Sequence, residues 1–198
     1  KFKAEIVPVE VAGKGGTTLV EEDEDPKRGN LEKLPRLKPA FKPDGTITAG
    51  NAPSVNDGAA ALVLMAVDRA AALGLAPLAR IVAAGHYATA PEWFTVTPGH
   101  AILDALKRAG LTTTDIDLYE INEAFAAVAL AAIQVAGLDP VRVNVHGGAV
   151  ALGHPIGATG ARLVVTLLHA LQDRGGRRGV AALCLGGGEG MALVIERV

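Results

Sequence analysis

Short apolar segments of strand length alternate with longer helical patterns along most of this 198-residue chain, and this alternation constrains the fold more than any other feature. The predicted strands are residues 80–84, 118–121, 179–185 and 191–198. The predicted helices are residues 59–73 (with Asp57 as N-cap), 98–109, 122–136 and 161–173. Strands that alternate with helices and end in a pair of strands predict a layered α/β domain.

The first fifty residues lack this regular alternation. Residues 3–11 are predicted as a strand, and an acidic run at residues 21–25 and a basic, proline-interrupted stretch follow. The basic side chains are Lys27, Arg28, Lys33, Arg36, Lys38 and Lys42. Such separated charges are typical of a solvated loop, and the alternative interpretation is a basic rim for an anionic ligand.

Composition narrows the class of protein and its partners. A net charge of −2 argues against a broad nucleic-acid surface. The longest nearly apolar stretch, residues 124–138, contains Gln134 and is shorter than the ~20 residues that span a bilayer, so we expect no membrane partner. Cys184 is the only cysteine, which fits a reducing compartment and predicts a cytoplasmic protein. The chain begins at Lys1 without a leader pattern, so we expect part of a longer gene product.

Three short segments lie at the ends of predicted elements, where loops held by a rigid sheet often provide functional groups. The first is Asn122-Glu123-Ala124-Phe125, directly after the strand at residues 118–121. Asn122 at a helix start is ordinarily an N-cap, and Glu123 in the first turn suits the helix dipole. The functional alternative is that the Asn122 amide positions a water or a carbonyl oxygen.

The second segment, residues 147–160, contains five glycines, which allow the backbone to approach a ligand or another helix closely. No Gly-Lys-Ser/Thr follows, so it is not a phosphate-binding P-loop. His154 lies between Gly153 and Pro155, and the proline favours an extended conformation for it. A lone histidine is more often structural, but this turn is suited to presenting the His154 ring.

The third segment is Cys184-Leu185-Gly186-Gly187-Gly188. A single cysteine at the end of an apolar strand is by default a small buried hydrophobic residue. The functional alternative is that the glycines expose backbone N–H groups beside the sulfur, where they stabilise a thiolate or a developing oxyanion.

Taken together, these segments resemble the three downstream signatures of thiolases, the acetyl-CoA acetyltransferases and 3-ketoacyl-CoA thiolases. A fourth block in the same order is formed by Thr48-Ala49-Gly50-Asn51-Ala52 and Asn56-Asp57-Gly58-Ala59-Ala60-Ala61. The resemblance covers essentially the whole chain but corresponds only to the C-terminal half of the family. It implies an α/β thiolase-like layered fold, a mixed sheet with helices on both faces. Residues 1–55 would form the end of the loop domain, and residues 56–198 the C-terminal domain.

The resemblance also implies a catalytic role for four residues. Cys184 matches the acid/base thiol, and His154 matches the histidine that favours the nucleophilic thiolate and hydrogen-bonds the thioester oxygen. Asn122 matches the residue that holds a water in the same oxyanion hole, and Gly186 matches the N–H donor of the other hole. A depressed thiol pKa is expected to keep the sulfur reactive near neutrality.

Substrate contacts and partners follow from the same resemblance. Arg28, Ser54 and Phe125 are expected to contact the coenzyme A thioester, with Pro53 where the family usually has serine. Acetyl-CoA, 3-ketoacyl-CoA and CoA are expected as substrates, without a metal or a separate cofactor. A homo-oligomer, dimer or tetramer, is expected.

The family's nucleophilic cysteine has no counterpart here, so this chain is expected to act with an N-terminal half. One alternative is a non-catalytic CoA-binding or assembly module, and a ketoacyl synthase is disfavoured because it would need histidine in place of Cys184. Trp93 and Phe94 are expected to form an apolar plug that packs against the partner half, or alternatively to line an acyl tunnel.

Overall fold

The computed structural model describes all residues from Lys1 to Val198 and shows a four-stranded mixed sheet with a separate two-stranded hairpin. The strands are β1 (Val9–Gly13), β2 (Gly16–Val20), β3 (Ala79–Ala88), β4 (Leu118–Ile121), β5 (Arg178–Leu185) and β6 (Glu189–Arg197). The helices are α1 (Asp25–Arg28), α2 (Val67–Ala72), α3 (Thr97–Ala109), α4 (Ala126–Ala136), α5 (Ala149–Leu152) and α6 (Thr159–Arg174). The predicted α/β class is confirmed.

The order of the main sheet is β3-β6-β5-β4. Strand β6 is antiparallel to both β3 and β5, whereas β4 and β5 run parallel, with Ile121 opposite Ala182. Carboxyl ends of neighbouring parallel strands lie at the same edge of a sheet. The segments that follow β4 and β5 are therefore brought together, although they are about sixty residues apart in the chain.

Helices cover both faces of this sheet, as predicted. On one face, α3 and α4 bury an apolar cluster that includes Ile102, Tyr119 and Val180. On the other face, α6 packs Leu163 and Leu167 against Leu118. Successive strand residues face opposite sides of a sheet, which explains why Leu118 and Tyr119 belong to different clusters.

The predicted helix at residues 59–73 is wrong over most of its length. Only Val67–Ala72 is helical, Asp57 does not cap it, and residues 56–66 have no regular secondary structure. The side chains of Val63 and Leu64 are 87% and 66% exposed. Because most of this apolar segment packs against nothing, no buried face stabilises a helix there.

The predicted helix at residues 122–136 begins four residues late. The N–H of Asn122 donates to the carbonyl of Ala182 at 2.9 Å, which extends the β4–β5 ladder by one residue. Phe125 is extended and is the N-cap residue, so neither the capping role of Asn122 nor the first-turn role of Glu123 holds.

The predicted strand at residues 3–11 is also shorter. A 3-10 turn occupies Phe2–Ala4, and the strand begins at Val9, directly after Pro8, which has no N–H to donate to a ladder. All residues of the hairpin formed by β1 and β2 are exposed.

The acidic and basic side chains that follow the hairpin pair locally, Lys27 with Glu22 and Arg28 with Glu24, which favours the solvated-loop interpretation.

Candidate active site

Asn122 and His154 meet at the carboxyl edge of the main sheet. Asn122 is 2% exposed, and its Nδ2 lies 3.4 Å from His154 Nε2. Its backbone is fixed by the hydrogen bond to Ala182 described above. The Asn122 Oδ1 is buried and has no hydrogen-bond partner in the chain, so it remains available to accept a hydrogen bond from a bound water.

His154 is held on two sides before α6 begins. Its backbone N–H donates to the Ser54 carbonyl at 2.9 Å and to Asn56 Oδ1 at 3.1 Å. Its Nδ1 lies 2.7 Å from the hydroxyl of Thr159, the first residue of α6. Sequence reasoning did not assign roles to Asn56 and Thr159. The Asn56-Asp57-Gly58 block and the hydroxyl five residues beyond His154 were the available signals.

The hydrogen bonds define the protonation state of the His154 ring. The Thr159 hydroxyl donates its proton to the Pro155 carbonyl at 3.0 Å, so it accepts from His154 Nδ1–H. This leaves the Nε2 lone pair facing Asn122 Nδ2. Burial lowers the pKa of His154, and the positive charge of Arg162 lowers it further. The ring is therefore neutral at pH 7, with Nε2 ready to accept a proton.

Cys184 lies at the same edge, near the end of β5 and opposite Gly190 of β6. It is partly buried and forms no hydrogen bond with Asn122 or His154. Burial raises the pKa of the Cys184 thiol. Near neutrality Cys184 is a protonated thiol, and it can act as an acid before it acts as a base.

Gly186 follows β5 in the exposed turn between β5 and β6. Its N–H donates to no atom of the chain, and a Cβ built on it would meet nothing within 4 Å. The donor and the space beside it are both free, as an oxyanion-binding position requires. The reason for glycine at Gly188 is different, because there a Cβ would lie 2.3 Å from the carbonyl oxygen of Thr89.

The residues expected to bind substrate are less closely grouped. The Arg28 guanidinium is exposed and paired with Glu24, and Arg28 Nη1 lies 4.0 Å from Asp25. The Ser54 hydroxyl donates to Asp25, and its carbonyl anchors His154 as described above. Phe125 lies between two aromatic rings, with centroid distances of 5.9 Å to Phe41 and 6.3 Å to Phe94.

A polar cluster lies beneath His154, between the sheet and α6. Glu120 of β4 is 1% exposed, and neither carboxylate oxygen has a hydrogen-bond partner. Burial raises its pKa to about 8. Arg162, in the first turn of α6, has buried guanidinium nitrogens without partners. Its charge acts on both Glu120 and His154, so this cluster helps to keep the histidine neutral.

The sequence of this chain is similar to one family of known proteins along its whole length. The C-terminal domain of the thiolase family matches residues 75–197, and its N-terminal domain matches residues 1–68. Acetyl-CoA acetyltransferase of Yarrowia lipolytica is 55% identical over 197 residues, covering 100% of this chain and 49% of that protein. Cytosolic acetyl-CoA acetyltransferase of Mus musculus is 52% identical over 199 residues, covering 99% of this chain and 50% of that protein.

Two solved structures extend the similarity to three dimensions. The crystal structure of the Bacillus anthracis acetyl-CoA acetyltransferase has a TM-score of 0.96 at 46% identity and covers all of this chain and 50% of its own. Human mitochondrial 3-ketoacyl-CoA thiolase has a TM-score of 0.87 at 40% identity, covering 96% and 49%. The chain thus spans about half the length of the relatives it matches. None of its helices has the length and apolar character needed to cross a bilayer. This chain belongs to the thiolase family.

Proposed function

We propose that this chain forms half of the active site of a thiolase-type acyltransferase. The enzyme would condense two acetyl-CoA molecules to acetoacetyl-CoA, or cleave a 3-ketoacyl-CoA with CoA. The observation that supports this most is the contact between Asn122 and a neutral His154 at the sheet edge that also holds Cys184. The greater identity to acetyl-CoA acetyltransferases than to the human 3-ketoacyl-CoA thiolase favours a short acyl group.

Each residue has a defined task in the proposed cycle. His154 Nε2 accepts the proton of a cysteine thiol supplied by an N-terminal half, and the resulting thiolate attacks the thioester carbonyl. A sulfur–carbon bond to the enzyme forms as the bond to CoA breaks, and the Cys184 thiol protonates the departing CoA thiolate. Protonated His154 and the water held by Asn122 then donate hydrogen bonds to the thioester oxygen.

The second half of the cycle uses the thiolate left on Cys184. It removes a proton from the methyl group of a second acetyl-CoA, and the resulting enolate attacks the acyl-enzyme. The carbon–carbon bond forms as the sulfur–carbon bond to the enzyme breaks, and protonated His154 returns its proton to the departing cysteine sulfur. The free N–H of Gly186 would bind the oxyanion of the acyl group. We propose no metal and no cofactor other than the coenzyme A thioesters.

We also propose roles for three residues in CoA binding, and a location for the protein. Release of the exposed Arg28 from Glu24 would let it bind the nucleotide end of CoA, while Phe125 would contact the acyl-pantetheine arm. Ser54 would assist if its hydroxyl turned away from Asp25. We propose a cytoplasmic location, since two relatives are named as cytosolic acetyl-CoA acetyltransferases, and we also propose a homo-oligomer.

The test replaces Cys184 with serine in the full-length native protein and separates two steps. Cys184→Ser should lower steady-state turnover by several orders of magnitude and leave formation of the acyl-enzyme partly intact, because serine is too weak an acid and base. Rapid-quench measurement of protein-bound acetyl group gives the first step, and CoA release gives turnover. Equal loss of both steps, or no loss of turnover, would contradict the proposed role.

A further inference from the structure

Glu123 adjoins Asn122 in the chain, but its carboxylate contacts the glycine-rich loop that leads to His154. Its Oε2 accepts the backbone N–H of Val150 at 2.9 Å, and its Oε1 accepts Asn144 Nδ2–H at 3.2 Å. Glu123 is thus bound to two segments that are distant in sequence. Both of its oxygens are used, and each has a different donor.

The space for this carboxylate is provided by Gly148. A Cβ built on Gly148 would lie 2.4 Å from the Glu123 carboxyl carbon and 2.5 and 2.6 Å from its oxygens. Gly148 has a φ of −150°, which any residue can adopt, so the missing side chain rather than backbone freedom explains the glycine here. The loop is built to receive the Glu123 carboxylate.

The other partner, Asn144, is itself fixed to the end of β4. Its Oδ1 accepts the Ile121 N–H at 2.8 Å, and its Nδ2 also donates to the Ile121 carbonyl at 2.9 Å. The Asn144 side chain therefore forms the two hydrogen bonds that a neighbouring strand would form with the backbone of Ile121, the last residue of β4. Its positive φ of 47° is a conformation that asparagine tolerates better than most residues.

We propose that Glu123 is a positioning residue that sets the distance between Asn122 and His154. It joins the end of β4, which carries Asn122, to the α5 segment, which ends just before His154. The 3.4 Å contact between the two site residues depends on how these segments are held relative to each other. This inference rests on the proposed function, because it assigns Glu123 an effect that acts through His154.

The test is Glu123→Gln in the full-length native protein. A glutamine has one acceptor oxygen, so whichever way it turns, its NH2 group faces either the Val150 N–H or the Asn144 Nδ2–H. We expect kcat to fall about 10- to 100-fold with KM nearly unchanged, since a displacement of ~1 Å in a catalytic group can cost that much.

Glu196→Gln is the matched control. Glu196 is also a buried carboxylate that uses both oxygens, toward Arg80 and Arg178, but it lies at the opposite end of the sheet from Cys184. This variant should lower the thermal midpoint at least as much as Glu123→Gln and leave kcat within about 2-fold when assayed well below that midpoint. A similar loss of kcat in both variants would assign Glu123 a role in stability only.

A double variant distinguishes an effect of Glu123 that acts through His154 from an effect that is independent of His154. If Glu123 acts through His154, adding Glu123→Gln to His154→Ala should reduce kcat by less than about 2-fold further. A full additional loss would overturn the positioning role and leave the proposed function intact. If His154→Ala alone leaves kcat unchanged, the proposed function itself fails, whatever Glu123→Gln does.

Discussion

At the scale of single residues, the ionisation of His154 should set the acidic limit of activity. Its pKa lies below the usual value of 6.5 because the ring is partly buried and near Arg162. The neutral form is the proton acceptor, so activity is present above the lowered pKa and lost as the pH falls through it.

We therefore expect the acidic limb of kcat/KM against pH to have its midpoint below 6.5. The measurement is a pH series of initial rates, with enzyme returned to neutral pH to show that inactivation is reversible. Arg162→Gln removes the neighbouring charge and should move the midpoint upward. A wild-type midpoint above 6.5 would contradict a neutral, proton-accepting His154.

At the scale of secondary-structure elements, the packing of β3 on α3 depends on Gly85. A Cβ at this position would lie 2.2 Å from the Ala105 nitrogen and 2.5 Å from the Ala101 carbonyl oxygen, both backbone atoms of α3. Gly85→Ala should destabilise the fold by about 1–3 kcal/mol or more, because neither the strand nor the helix can move independently of the core. Denaturant unfolding measures the change.

Gly157→Ala is the comparison variant for Gly85→Ala. Gly157 has no neighbouring atom within 4 Å of a built Cβ and does not have a positive φ. It should change the free energy of unfolding by less than about 0.5 kcal/mol. Equal effects of the two alanines would show that α3 does not pack on β3 as described.

Elements that bury one clear face were predictable from sequence, and elements defined by distant partners were not. Strand β4 and helix α3 matched closely, because their apolar periodicity and the glycine after α3 are local signals. The start of α4 was missed because the bond from Asn122 to Ala182 depends on a strand sixty residues away. Residues 59–66 have a helix-like composition but no surface to pack on, which no local pattern reveals.

The residues of the candidate site divide in the same way into those that could be predicted from the sequence and those that could not. Asn122, His154 and Cys184 could be singled out because each lies at the end of a predicted element, His154 and Cys184 beside glycines, whereas Gly186 was assigned from the resemblance to thiolases. Their roles remain predictions. The Thr159 hydrogen bond, the reach of Glu123 to Val150 and the charge of Arg162 could not be predicted, because they depend on side-chain contacts between segments that only the folded chain brings together.

At the scale of the whole molecule, this chain leaves much apolar surface uncovered. Val63 is 87% exposed, Leu130 on α4 is 66% exposed, and the β1–β2 hairpin exposes Val9 at 57%. Where such side chains form a large patch, the patch normally contacts another protein surface. We expect the isolated 198-residue chain to self-associate or precipitate, and an N-terminal half supplied with it to restore a defined species.

Sedimentation velocity over a range of concentrations checks this expectation. Leu130→Gln together with Val63→Thr should reduce the association, whereas Leu31→Gln, an equally exposed change in the solvated loop, should have little effect. A monomer that remains clean at high concentration would contradict the account of these surfaces.

The most direct test of the central claim is the intact mass of the natively purified protein after incubation with acetoacetyl-CoA. We expect a longer chain, or a second polypeptide beside this one, that gains one acetyl group. Prior alkylation of thiols should prevent this gain. If the only species is unmodified and near 20.2 kDa, this chain does not take part in acyl transfer, and a binding or assembly role replaces the thiolase reaction.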